Sequence, residues 1–207
     1  MINTFILDTN LFFNLQSGLT WGKTSEEVIK AFTIFSSKLT STSKATFYMT
    51  PGIVEEFKGF FDSEPNYVHD FLTTITITSP DLTKNVVGAS IMREFVEEAR
   101  TRAYRGMKVA EEEFDSVAKS MIGKEKLSNV DYQKQLGQVI TKFRERFRHA
   151  TRFNFIDSTS DFDLILLARQ VNGALVSADE GVTRWGRLMG VTEIAPSQLR
   201  ASLEALG

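Results

Sequence analysis

Residues 4–10, TFILDTN, decide how the fold is read. Thr4–Leu7 is a short run of β-favouring residues, and Asp8-Thr9-Asn10 ends it with turn formers, so an aspartate directly follows a strand. The far end of the chain repeats the arrangement: Ala174–Ser177 reads as a strand closed by Ala178-Asp179-Glu180-Gly181. Ala45–Met49 is a further strand. Thr50-Pro51 then opens a helix, with proline in the first turn, where its missing N–H goes unused. Thr74–Thr78 alternates Thr and Ile, which predicts a strand with one buried face, stopped by Ser79-Pro80. Helices are expected over about Ser25–Leu39, with Ser25 as N-cap and Val28, Phe32 and Phe35 on one face, and over Asp161–Gln170, which is apolar all round from Leu164 to Ala168. A short amphipathic helix and a C-terminal helix near Pro196–Leu206 close the chain. Strands alternating with helices predict an α/β fold, with a parallel central sheet flanked by helices.

The middle of the chain reads differently. Ile91, Phe95, Ala99, Ala103, Met107, Ala110, Phe114, Val117 and Met121 recur at helical spacing, and so do Tyr132, Leu136, Val139, Phe143, Phe147 and Ala150. Steps of three and four in both stripes are what two helices zipped along one seam require, with Gly123–Asn129 as the turn between them. Residues 88–152 are therefore expected to form an inserted, protruding helical hairpin, and 1–87 with 153–207 a discontinuous main domain.

Composition narrows the chemistry. The 207 residues are 42% hydrophobic and 24% charged, an ordinary globular balance with enough apolar material for a core. No apolar run approaches the roughly 18 residues of a membrane span, and MINTFILDTN lacks the features of a signal peptide, so a cytoplasmic location is expected. The absence of cysteine excludes disulfides, thiolate-bound zinc, iron–sulfur clusters and thiol nucleophiles. His69 and His149 are the only histidines, and there is neither a GxxxxGK[ST] loop nor a GxGxxG fingerprint. Carboxylate chemistry is what remains. The net charge of −2 conceals a division: residues 1–87 carry 6 basic and 9 acidic side chains, 88–152 carry 14 and 10, and 153–207 carry 4 and 7.

Asp8 and Asp179 each follow an apolar strand and should sit at its C-terminal end, the edge of a parallel sheet that lines the ligand crevice. Asp157, Asp161 and Asp163 come from the start of the buried helix, and Asp157 and Asp161 share a face if the first turn already includes residue 157. Converging carboxylates repel one another. A divalent cation that prefers oxygen ligands, Mg²⁺ or Mn²⁺, relieves the repulsion and lowers the pKa of a bound water that can attack a phosphodiester. Blander roles compete: Asp8 as a turn residue, Asp157 as a loop residue, Asp179 as the N-cap of the next helix, Asp163 in a capping box with Ser160, and Glu56 as a surface residue.

LDTN at 7–10, an acid in VEEF at 54–57, DSTSDFDLILLA at 157–168 and LVSADEG at 175–181 together resemble a PIN nuclease domain. With the chain length, the FYMTP segment and the basic helical insertion, the whole chain resembles a narrower group, the minimal protein-only ribonuclease P family (homologues of Aquifex RNase P). The resemblance implies a PIN fold, dependence on Mg²⁺ or Mn²⁺, endonucleolytic removal of 5′ leaders from precursor tRNA without an RNA subunit, and a homo-oligomer assembled through the hairpin. It carries the catalytic and metal-binding positions onto Asp8, Asp157, Asp161 and Asp179, with Asp163 and Glu56 as further acidic positions, and leaves open whether Glu55 or Glu56 faces the site.

An acidic cup alone would repel RNA. Lys142, Arg146 and His149 run along one side of the second hairpin helix, and Arg144, Arg148 and Arg152 along another; Arg100, Arg102, Arg105 and Lys108 cluster on the first. As a general rule such residues form a solvated face with stems covering apolar surface. Beside a nuclease centre they also suit the phosphate backbone of a folded tRNA, recognised by shape. Two rivals are a toxin-like PIN ribonuclease acting on other RNA and a catalytically idle PIN module that binds RNA or protein.

Overall fold

Strand β1 (Thr4–Leu7) lies inside a four-stranded parallel sheet of order β3-β2-β1-β4, with β2 at Thr46–Met49, β3 at Thr76–Ile77 and β4 at Ala174–Val176. This computed structural model describes residues 3–207 apart from 15, 17, 19, 20, 124–126, 153, 154 and 157. Phe5, Ile6 and Leu7 are fully buried, as are Ala174, Leu175 and Val176, because helices cover both faces of a parallel sheet and its strands become continuous apolar runs. The chain leaves β1 for β2 on one side and later returns to β4 on the other. The topological switch point therefore falls between β1 and β4, where α/β sheets open a crevice at their C-terminal edge.

The connections are helical: α1 (Asn10–Phe13), α2 (Ser25–Ser41), α3 (Pro51–Lys58), α4 (Asn66–Thr73), α5 (Ala89–Met121), α6 (Asn129–Arg152), α7 (Thr159–Gln170), α8 (Glu180–Leu188) and α9 (Pro196–Glu204). The α2 N-cap is Thr24, whose side chain accepts from the Glu27 N–H, so the expected Ser25 is one residue too far in. Thr50 caps α3 ahead of Pro51. The core on one side of the sheet is aromatic. Phe12 meets Phe32, Phe57 and Phe71 edge-on at centroid separations of 5.5, 5.6 and 4.9 Å. The segment expected as a strand over Thr74–Thr78 pairs only at Thr76–Ile77. Thr74 instead closes α4, and Ile77 stays 46% exposed, because β3 is the sheet's edge and nothing among the described residues covers that side chain.

The chain divides into two compact units, residues 1–87 with 156–207, and residues 88–155. In the second, α5 and α6 pack together; α6 contributes Phe147 of its predicted stripe, and the α5 side is offset from the stripe its apolar spacing predicts. The buried residues of α5 are Gly106, Val109 and Glu113. Met107, Phe114 and Met121 are 63, 74 and 51% exposed. The packing follows closest approach instead. A Cβ on Gly106 would lie 2.6 Å from the Phe147 ring, so only glycine lets the helices come this near. Two turns further on, Glu113 accepts from Arg146 and pairs with Lys142 at 3.2 Å, which holds its carboxyl below the usual glutamate range.

Candidate active site

The strand register assembles the site. Leu7 pairs with Val176, so the next residues on the two strands, Asp8 and Ser177, face each other at the switch point. The Asp8 N–H donates to the Val176 carbonyl at 3.1 Å, continuing the ladder past the strand end. Both residues are buried, Asp8 at 2% exposure and Ser177 at 3%. The Ser177 hydroxyl donates to Asp8 Oδ2 and accepts from the Asp179 N–H at 3.0 Å. Burial pushes the Asp8 carboxyl up to about 6. The hydrogen bonds from Ser177 and from the Asn10 backbone oppose the shift, and the charges of Glu56 and Asp179 add to it.

Asp179 is the α8 N-cap, accepting from the Val182 N–H at 2.9 Å through Oδ1, so the capping role holds for one of its two oxygens. Glu56, on the second turn of α3, is a helix carboxylate whose charge acts on Asp8. At the start of α3, a Cβ on Gly52 would lie 2.4 Å from the Ser160 hydroxyl, so glycine lets this helix approach the first turn of α7. Thr9 anchors the same helix by donating to the Ile53 carbonyl at 3.2 Å.

The cap of α7 is Ser158, whose hydroxyl accepts from the N–H groups of Ser160 and Asp161. A capping box between Ser160 and Asp163 is therefore not formed: Ser160 already lies inside the helix. Asp161 is the half-buried acid of the first turn. Asp163, two residues on, has its carboxyl raised by burial. The helix begins at Thr159, directly after the Ser158 cap. Asp157 itself lies outside the described residues. Among the described residues, no three acidic or histidine side chains stand close enough to enclose a metal ion by themselves.

Reasoning from the sequence passed over Ser177. The signal was present in LVSADEG, where a hydroxyl stands at the end of a buried strand, two residues before an aspartate. On α6, Lys142 and Arg146 are drawn into the Glu112 and Glu113 pairs, whereas Arg144 and Arg148 are exposed.

A parallel sheet of order 3-2-1-4 with acids at its switch point defines a class, and the PINc domain ribonuclease model matches residues 4–206. The chain belongs to the PIN-domain ribonucleases and is an endoribonuclease. Within that class it belongs to the RNA-free ribonuclease P family. It is 34% identical to the RNA-free ribonuclease P of Pyrococcus furiosus over 98% of this chain and 93% of that one. It is 34% identical to that of Hyperthermus butylicus over 100% and 89%, and 33% identical to that of Nitrosococcus oceani over 98% and 94%. No helix among the described residues is long and apolar enough to cross a membrane.

Proposed function

We propose that this protein is an RNA-free ribonuclease P that removes the 5′ leader from precursor tRNA without an RNA subunit. The observation that carries the reading is the match along 98% of the chain to relatives bearing that name. Asp8, Asp157, Asp161 and Asp179 are the proposed catalytic and metal-binding residues, with Glu56, whose charge acts on Asp8, and Asp163 as further acids. A divalent cation fits this set. Every donor is a carboxylate oxygen, and the Asp8 carboxyl, whose ionisation burial and two negative neighbours disfavour, is the kind of group a cation would hold charged. Mg²⁺ or Mn²⁺, when bound, would supply the positive charge that activates water and offsets the phosphate. The residues do the rest: Ser177 fixes the Asp8 carboxylate, and the α8 N-terminus fixes Asp179. The bond formed joins a water oxygen to phosphorus, and the bond broken joins phosphorus to the 3′ oxygen of the leader. The phosphate then stays on the tRNA.

The 88–155 unit is the proposed assembly and RNA-contact element. Tyr104, Met107, Phe114 and Val130 are all largely exposed, which supports burial of these apolar side chains against further copies of the chain. Arg144, Arg148 and Arg152, with Lys142 and Arg146 partly engaged by glutamates, are the proposed contacts to the tRNA backbone. A cytoplasmic site of action is consistent with a chain that has no cysteine.

The test is incubation with a precursor tRNA in Mg²⁺ or Mn²⁺ and in chelator. A single metal-dependent cut at the mature 5′ end supports the proposal. Scattered or anticodon-loop cuts would assign a toxin-like ribonuclease, and no cleavage of any RNA with metal present would assign an idle binding module.

A further inference from the structure

A cavity of about 320 Å³ lies beside Ser177. Among the described residues it is lined by Ser177 and Ala178, by Thr183 and Arg187 of α8, by a wall running from Glu193 to Pro196, and by Asn14. That wall is held to the sheet: the Leu175 N–H donates to the Thr192 carbonyl at 2.8 Å, and the Ile194 N–H to the Leu175 carbonyl at 2.9 Å. The cavity thus has a rigid frame and lies one side chain away from the carboxylate at the centre of the acidic site. Its size is at the lower end of small-ligand pockets, roughly 300–1000 Å³.

The lining distinguishes a base from a phosphate. Arg187 Nε donates to Glu193 Oε1 at 2.8 Å, so the cation is already matched by an anion and the pocket carries little net charge. The same bond holds the guanidinium plane, while its other nitrogens make no bond among the described residues. A held guanidinium offers a stacking face and free donors, the elements with which single-stranded RNA bases are recognised. The Thr183 hydroxyl donates into its own helix at 3.0 Å to the Asp179 carbonyl and keeps lone pairs for an incoming donor. Ile194, Ala195 and Pro196 supply apolar contact for a flat ring.

We infer that this cavity receives the nucleobase of one nucleotide bordering the phosphodiester that is cut, with Arg187 as the residue that holds the base. The inference rests on the proposed precursor-tRNA cleavage, and the experiment separates the two. In one arm, precursor tRNAs lacking the base at the nucleotide immediately 5′ or 3′ of the cut are cleaved by wild type and by Arg187→Ala under single turnover. At one of the two positions base removal should slow wild type about tenfold, as loss of one stacked base does, and should slow Arg187→Ala less than about twofold. Equal rates in wild type at both positions, or the full loss persisting in the variant, would overturn the inference. In the other arm the four nucleoside 5′-monophosphates are titrated and the amide resonances of Ala178, Thr183 and Arg187 are followed. Shifts in wild type that vanish in Arg187→Ala support the pocket, and no shift with any of the four overturns it. If no precursor tRNA is cleaved, the proposed function fails, and this second arm alone decides the cavity. Because Arg187→Ala also leaves Glu193 without its ion pair, a thermal melt of the variant accompanies both arms, and Arg187→Lys, which keeps the charge and lacks the guanidinium plane, should behave like Arg187→Ala.

Discussion

The Ser177 hydroxyl donates to the Asp8 carboxylate across 169 positions of sequence, at the point where two parallel strands end side by side. Through its other contact, with the Asp179 N–H, the same oxygen links the two strand-end aspartates.

Ser177→Ala removes the donor that favours the ionised form of Asp8, so the carboxyl should rise further above its ordinary value. A hydrogen bond to a charged group contributes about 1.5–3 kcal/mol, which corresponds to a rate loss of roughly tenfold to a hundredfold. Single-turnover cleavage across a Mg²⁺ titration checks this. The half-maximal Mg²⁺ concentration should rise, and unchanged metal dependence would leave Ser177 a packing residue.

Asp8→Asn should abolish cleavage and yet stabilise the metal-free protein. The folded chain holds the Asp8 proton up to about pH 6, against 3.8 ordinarily. This contribution to stability is complete below pH 3.8 and is lost as pH rises through 6. The gap amounts to about 3 kcal/mol. Thermal melts in chelator should show the variant roughly 5–10 °C above wild type at pH 8, and level with it near pH 3.5. A lower melting temperature at pH 8 would mean that Asp8 is not strained by its burial.

Gly52→Ala should push the start of α3 away from Ser160, and Glu56 with it. Overpacking of this kind costs about 1–3 kcal/mol. Ser160→Ala in the same chain removes the clashing oxygen and should restore part of both stability and cleavage rate. A double variant no better than Gly52→Ala alone would show that the approach of these two helices does not set the site.

Arg144→Glu with Arg148→Glu should weaken precursor-tRNA binding and lower its dependence on salt, while the molecular mass measured by light scattering stays that of wild type. A lower mass than wild type with unaltered RNA affinity would instead make these arginines assembly residues.

What could be read from the chain alone follows from local periodicity. β1 was delimited at Thr4–Leu7, and α5 begins and ends close to where its apolar spacing does, because alternation and helical repeat are properties of neighbouring residues. The acids at strand ends were legible for the same reason. The caps were less so. Thr24 rather than Ser25, and Ser158 rather than Ser160, caps its helix, since adjacent hydroxyls compete and only backbone conformation decides between them.

The sequence by itself determined that strands alternate with helices and that Asp8 and Asp179 sit at the ends of buried strands. Only the tertiary structure decided that Ser177 bridges them, that the Glu56 charge acts on Asp8, and that α5 buries Gly106 and Glu113 while Met107 and Phe114 stay exposed. The physical reason is common to all three. Each depends on a distance between elements remote in sequence, set by strand register or by closest helix approach, and a side-chain pattern along one element carries no record of what its neighbour presents.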